Sequence, residues 1–180
     1  MSAIHWFFYI VILGASLALH EIGHWAEMHR RGIPLARITL GLGPSIRLWG
    51  RLHLAAFPFG ASVSPQPAAW AAATPHARFR VALAGPVASF ICASLFVAIG
   101  MLNPAIAKGM FALATLHFAI GAFNILPVPP MDGWTILTEL LASHDKPLSP
   151  RITGLAMRLG NGVLYSLGFW YIGGLATGMW

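Results

Sequence analysis

The sequence predicts an all-α polytopic membrane protein: about four transmembrane helices, with a small membrane-associated β-sheet or hairpin between the first two. Three observations predict it. The chain is 57% hydrophobic and only 9% charged over its 180 residues, where a soluble domain carries roughly 25% charged residues. Its mean hydropathy is +0.71. Its Lys and Arg residues are gathered between apolar runs rather than spread along the chain. The length suits one domain, residues 1–180.

The apolar runs are Ile4 to Met28, Val81 to Leu102, Gly109 to about Leu126, and Leu159 to about Thr177. A span needs roughly 20 predominantly apolar residues. The second and fourth runs meet this without a charge; the third is short and ends in prolines, as a broken span would. Seven arginines, Arg30 to Arg80, lie between runs one and two, and Lys146, Arg151 and Arg158 lie between runs three and four. Only Lys108 lies on the other side. The positive-inside rule makes the arginine-rich side cytoplasmic and puts both termini outside. The asymmetry accounts for the net charge of +6 without a nucleic-acid partner. The first six residues lack the basic start of a cleavable signal peptide, and the apolar run continues too far for one. Cys92 stands alone in an apolar run, so it reads as an inert buried thiol.

Between the first two runs, Arg37–Leu40, Ser45–Leu48 and Arg51–Leu54 alternate in short pieces punctuated by Gly41, Gly43-Pro44, Gly50 and Pro58-Phe59-Gly60. These predict two to four short strands at the cytoplasmic face, with an exposed edge near Ile38–Leu54. Pro65, Pro67 and Pro75 predict an irregular connector, with Trp70 as an interfacial anchor.

The first run ends in His20-Glu21-Ile22-Gly23-His24. Chance placement would produce HExxH about 0.006 times in such a composition, so the motif is strong. Side chains four apart share a helix face, so His20 and His24 can grip one ion. Glu21 lies about 100° further round the helix. From there it reaches a water on the metal as a base rather than joining the ligands. Arg30 follows roughly 9 Å beyond His24 along the axis, which sets the motif in the cytoplasmic half of the bilayer. Charged and polar groups at that depth require a water-filled cavity. Zinc takes a third protein ligand and leaves a fourth position open. The acidic candidates are few. Asp132, after the prolines that break the third run, lies at matching depth; Glu27 suits an arginine partner; Glu139, on an amphipathic stretch from Trp134 to Ala142, suits a solvated face. Asn124 is either a helix-to-helix hydrogen bonder or part of the site, and His117, seven residues earlier, suits helix packing better than the site.

With Asn124-x-x-Pro127-x-Pro129-x-Met131-Asp132-Gly133, the HExxH run resembles the site-2 protease family of intramembrane zinc metalloproteases. The family's tail reads N-x-x-P-x-P-x-L-D-G, with Met131 here in place of Leu. Ala84-Gly85-Pro86-Val87-Ala88-Ser89 resembles its G-P-x-x-N/S element. Gly41-Leu42-Gly43-Pro44 and Phe57-Pro58-Phe59-Gly60 resemble its membrane-associated hairpin region. The resemblance covers nearly the whole chain and implies a minimal member without PDZ or nucleotide-sensing domain. It makes His20, His24 and Asp132 ligands of one zinc ion, Glu21 the general base, and Asn124 a holder of the substrate backbone. It implies single-span membrane proteins or leftover signal peptides as substrates, cleaved in or near their spans within a lipid bilayer, in a prokaryotic plasma membrane. The alternatives are a membrane HExxH protease of another type with Glu139 as third ligand, and a non-catalytic membrane metal-binding scaffold. The glycine-rich last run (Gly160, Gly162, Gly168, Gly173, Gly174) fits close packing, a homodimer seam or a mobile gate equally well, and the partners expected beside substrates and lipid are a second copy or a regulatory membrane protein.

Overall fold

The computed structural model describes residues 3–177. At Ala3, Trp6, Leu42, 57–59, 167–168, 171–173 and 175–177 (Phe57, Pro58, Phe59, Gly168 and Gly173 among them) only the backbone is described, so what side chains do there lies outside the described residues. The order is α1 (Ala3–Arg30), β1 (Leu35–Trp49), β2 (Leu52–Pro65), α2 (Pro67–Ala72), α3 (Pro75–Leu102), α4 (Ala107–Asn124), α5 (Asp132–Ser143) and α6 (Pro150–Thr177). The chain is mostly helical with one small sheet, as predicted. Phe7–Arg30 and Pro75–Leu102 are long and apolar enough to cross a membrane. The first overlaps the predicted span Ile4 to Met28, and the second contains Val81 to Leu102.

Side chains are distributed as lipid solvation demands. Large apolar groups such as Phe8, Leu95, Met101, Phe118 and Phe169 face outward, while Ser16, His20, His24, Ser89 and His117 are buried. Small residues allow the close approach. A side chain at Gly23 would strike the Ala84 carbonyl and Ala88 of α3, so this glycine sets the α1–α3 crossing. α3 begins sharply because Thr74 caps it, accepting from the Ala77 N–H at 3.2 Å, and Pro75 supplies a preset φ. α3 packs on α1, α4 and α5, and is the central element of the bundle.

The sheet is one pair of strands, each bent at a glycine: Gly41 and Gly60 sit at φ 95° and 107°, where other residues are strained. The bends divide the pair into four arms. Leu35 to Leu40 runs opposite Pro65 to Ala61, and Ser45 to Trp49 runs opposite Ala55 to Leu52. Ile38, Thr39 and Leu40 also pair in step with Leu52, His53 and Leu54. The arm order is therefore 61–65, 35–40, 52–55, 45–49. The predicted edge near Ile38–Leu54 is thus partly wrong. The 35–40 and 52–55 arms are interior, and the edges are 61–65 and 45–49. A register containing bends cannot be read from alternation alone.

The connector also differs from expectation, because Pro67 starts a short helix instead of breaking one. Trp70, on that helix, is partly buried against the cluster of Met28, Ile33 and Val81. This cluster joins the C-terminal end of α1 and the N-terminal end of α3 to the sheet and to α2.

Candidate metal centre

α1 presents His20 and His24 on one face, one turn apart. Their rings are fixed from behind by α3. The His24 Nδ1–H donates to the Val81 carbonyl at 2.7 Å, and His20 Nδ1 lies 2.9 Å from the Ser89 hydroxyl, which is itself fully buried. Gly85 faces the two imidazoles at van der Waals contact; any side chain there would occupy the space of both Nε2 atoms. Asp132 arrives from the first turn of α5. A side chain on Gly133 would collide with the Ile125 and Leu126 carbonyls, so that glycine lets α5 start hard against the end of α4.

Three donor atoms consequently converge. His20 Nε2 and His24 Nε2 are 3.2 Å apart, and Asp132 Oδ2 lies 3.0 Å from the first and 3.2 Å from the second. Tetrahedral ligands at the usual Zn–N and Zn–O lengths stand about 3.3 Å apart, so the triangle has the dimensions of a zinc site. The protonation pattern agrees. With Nδ1–H committed to a carbonyl, neutral His24 has only a lone pair at Nε2, aimed at a carboxylate oxygen and a second imidazole. Converging lone pairs repel one another unless a cation sits among them. These residues fit zinc.

Glu21 joins the two histidines in a group whose candidate donor atoms all lie within 4.8 Å of one another. Its Oε2 accepts a hydrogen bond from the Val63 N–H at 2.8 Å. Val63 is on the 61–65 edge arm, so an otherwise unpaired edge amide holds the carboxylate beside the metal position. Glu21 and Val63, with His20, His24, Asn124 and Asp132, line one cavity of about 260 Å³. At roughly 30 Å³ per molecule it has room for several waters.

The structure thus brings together all five residues singled out in the sequence: His20, Glu21, His24, Asn124 and Asp132. The Asn124 amide donates to the Ile120 carbonyl of its own helix at 2.9 Å, rather than to a neighbouring helix. Glu27 pairs with Arg30 and Arg31, as expected. Glu139 does not face solvent as expected and is not part of the cavity; it forms an ion pair with Arg78 of α3 at 2.9 Å. His117 is buried with its ring 5.4 Å from that of Phe96, which is a packing contact. Sequence reasoning missed three parts: the Val81 carbonyl, the Val63 N–H, and Gly85 as the backing of the imidazoles. Ser89 and Gly85 did carry a signal, in the Ala84–Ser89 element.

Residues 8–108 and 101–167 match the sequence model of peptidase family M50. Rip3 of Mycobacterium tuberculosis is 31% identical over 180 residues, covering 94% of this chain and 41% of that protein. The zinc metalloprotease MJ0392 of Methanocaldococcus jannaschii is 25% identical over 144 residues, covering 78% of this chain and 36% of its own length. The site-2 protease structure from Methanocaldococcus jannaschii matches with a TM-score of 0.59 at 24% identity, over 93% of this chain and 67% of that one, which is a likeness of fold. The chain spans about two-fifths of the length of the curated relatives it matches.

Proposed function

This chain belongs to peptidase family M50, and from that premise we propose that it is an intramembrane zinc endopeptidase. The observation that carries the reading is the triangle of His20, His24 and Asp132 with Glu21 beside it, its Oε2 engaged by the Val63 N–H. In this reading those three residues hold one zinc ion, which when bound supplies a Lewis acid for the scissile carbonyl and acidifies a water. Glu21 takes the proton of the attacking water and delivers it to the departing amine, so one C–N bond breaks as one C–O bond forms. A metal-binding scaffold has no use for a carboxylate held off the ligand set by a backbone amide. Glu139, committed to Arg78, lends no support to a different third ligand.

α1, α3, α4 and α6 cross the bilayer in this reading. Both termini lie outside, and the site lies in the cytoplasmic half of a prokaryotic plasma membrane. The substrates are single-span membrane proteins or signal-peptide remnants. An unwound substrate segment pairs along the 61–65 arm, the edge that borders the cavity. Asn124, which also lines the cavity, hydrogen-bonds the substrate backbone.

The test is zinc content together with cleavage of a panel of single-span substrates, for the wild-type protein and Glu21→Gln in detergent. Equal zinc, with cleavage confined to the wild type, is the expected result. A zinc-loaded wild type that cleaves nothing in the panel would favour the scaffold.

A further inference from the structure

A second cavity borders α2 and shares no lining residue with the metal centre. It is open, about 700 Å³, and sits where α1 ends and α3 begins. Arg30, Arg31 and Arg80 line it, and no acidic side chain does. The rest of its wall is Gly32, Ile33, Thr74 and four alanines, so the guanidinium groups are its only charged groups.

We propose that this cavity binds a phosphate-bearing anion, and that its occupant is the headgroup of an anionic membrane lipid. The positive-inside rule explains arginines near span ends, but it does not explain how these three are arranged. Glu27 binds both Arg30 nitrogens Nε and Nη2, at 2.7 and 2.8 Å, and Arg31 Nε at 2.6 Å. One carboxylate thus orients two guanidinium groups and neutralises only one. The remaining N–H donors, Arg30 Nη1 and both Arg31 Nη atoms, form no hydrogen bond among the described residues. Arg78, the neighbouring cation, is taken by Glu139 and the Ala73 carbonyl. Arg80 forms no ion pair among the described residues. The lining therefore carries about two unbalanced positive charges on planar donor groups, and guanidinium groups match phosphate oxygens in pairs. The phosphate site rests on this geometry alone. The lipid as its source rests on the membrane topology proposed above, because the ends of α1 and α3 then lie at the headgroup level of the inner leaflet, where anionic lipids gather.

The experiment uses the full chain in phosphatidylcholine nanodiscs, with or without phosphatidylglycerol. Lipid retained on the protein is read by native mass spectrometry. A parallel arm titrates soluble glycerol 3-phosphate into phosphatidylcholine discs. Arg80→Gln is the test variant, Arg80→Lys keeps the charge but not the fork, and Arg151→Gln, an exposed arginine on α6, is the control. The wild type is expected to retain phosphatidylglycerol over phosphatidylcholine. Arg80→Gln should lower that preference about tenfold, Arg80→Lys by less, and Arg151→Gln should leave it unchanged. Arg80-dependent binding of glycerol 3-phosphate with no lipid preference would keep the phosphate site and overturn the lipid as its source. Equal retention of both lipids without glycerol 3-phosphate binding, or an equal loss in Arg151→Gln, would overturn the site. Failure of proteolysis changes none of these readouts.

Discussion

The two halves of α1 are built from the same helix and behave oppositely. In the N-terminal half, the outer half in the topology proposed above, Phe7 to Ile12 are all exposed. In the C-terminal half, the inner half in that topology, Ser16, His20, His24 and Met28 form one buried stripe at four-residue spacing. Propensity does not separate the halves; the neighbour does. α3 offers Ala84, Gly85, Ala88 and Ser89 to the inner half, and their small size lets the two backbones approach at Gly23. The outer half is apolar at nearly every position. The inner half alternates a polar inner face with exposed Leu19, Ile22 and Trp25. One helix thus meets apolar surroundings at one end and builds a polar site at the other, because its partner changes.

Substitutions can break or sharpen this contrast. The largest effect is expected at Gly85→Val, where the new side chain fills the space of the two Nε2 atoms. Metal analysis should find no bound zinc, and substrate cleavage should vanish with it. Asp132→Ala should also lose zinc, by more than the roughly 10–100-fold that an outer partner costs. Glu139→Ala should keep near-normal zinc while lowering stability by about 1–3 kcal/mol through the unpaired Arg78; thermal unfolding and metal content measured on both variants separate ligand from strut. Ser89→Ala removes a group behind His20 and should weaken zinc about tenfold in a chelator competition. Val11→Ala, in the outer half, should change stability by no more than about 0.5 kcal/mol and leave zinc affinity alone. A loss at Val11 as large as that at Ser89 would erase the contrast.

Much of this was legible in the sequence, for identifiable reasons. His20, Glu21 and His24 were legible because a helix converts four-residue spacing into adjacency. Asp132 was legible because proline breaks and charge asymmetry put it at the same depth, and the resemblance of Asn124 to Gly133 pointed the same way. The supports were not. The Val81 carbonyl is a backbone group that every residue supplies, and the Val63 N–H one that every residue but proline supplies, so no residue type announces them. The order of the sheet depends on where Gly41 and Gly60 bend the strands, and the bends turn an expected edge into an interior arm. Glu139 was misplaced outward because a single sequence shows amphipathicity and hides which neighbour covers a face; Arg78 is that neighbour.

The most direct test of the three-ligand centre is X-ray absorption at the zinc edge on the purified chain. The account predicts two imidazoles and carboxylate or water oxygens at about 2.0–2.1 Å with no sulfur, one imidazole fewer in His24→Ala, and an unchanged spectrum in Glu21→Gln. A sulfur ligand from Cys92, or a first shell altered by Glu21→Gln, would contradict it.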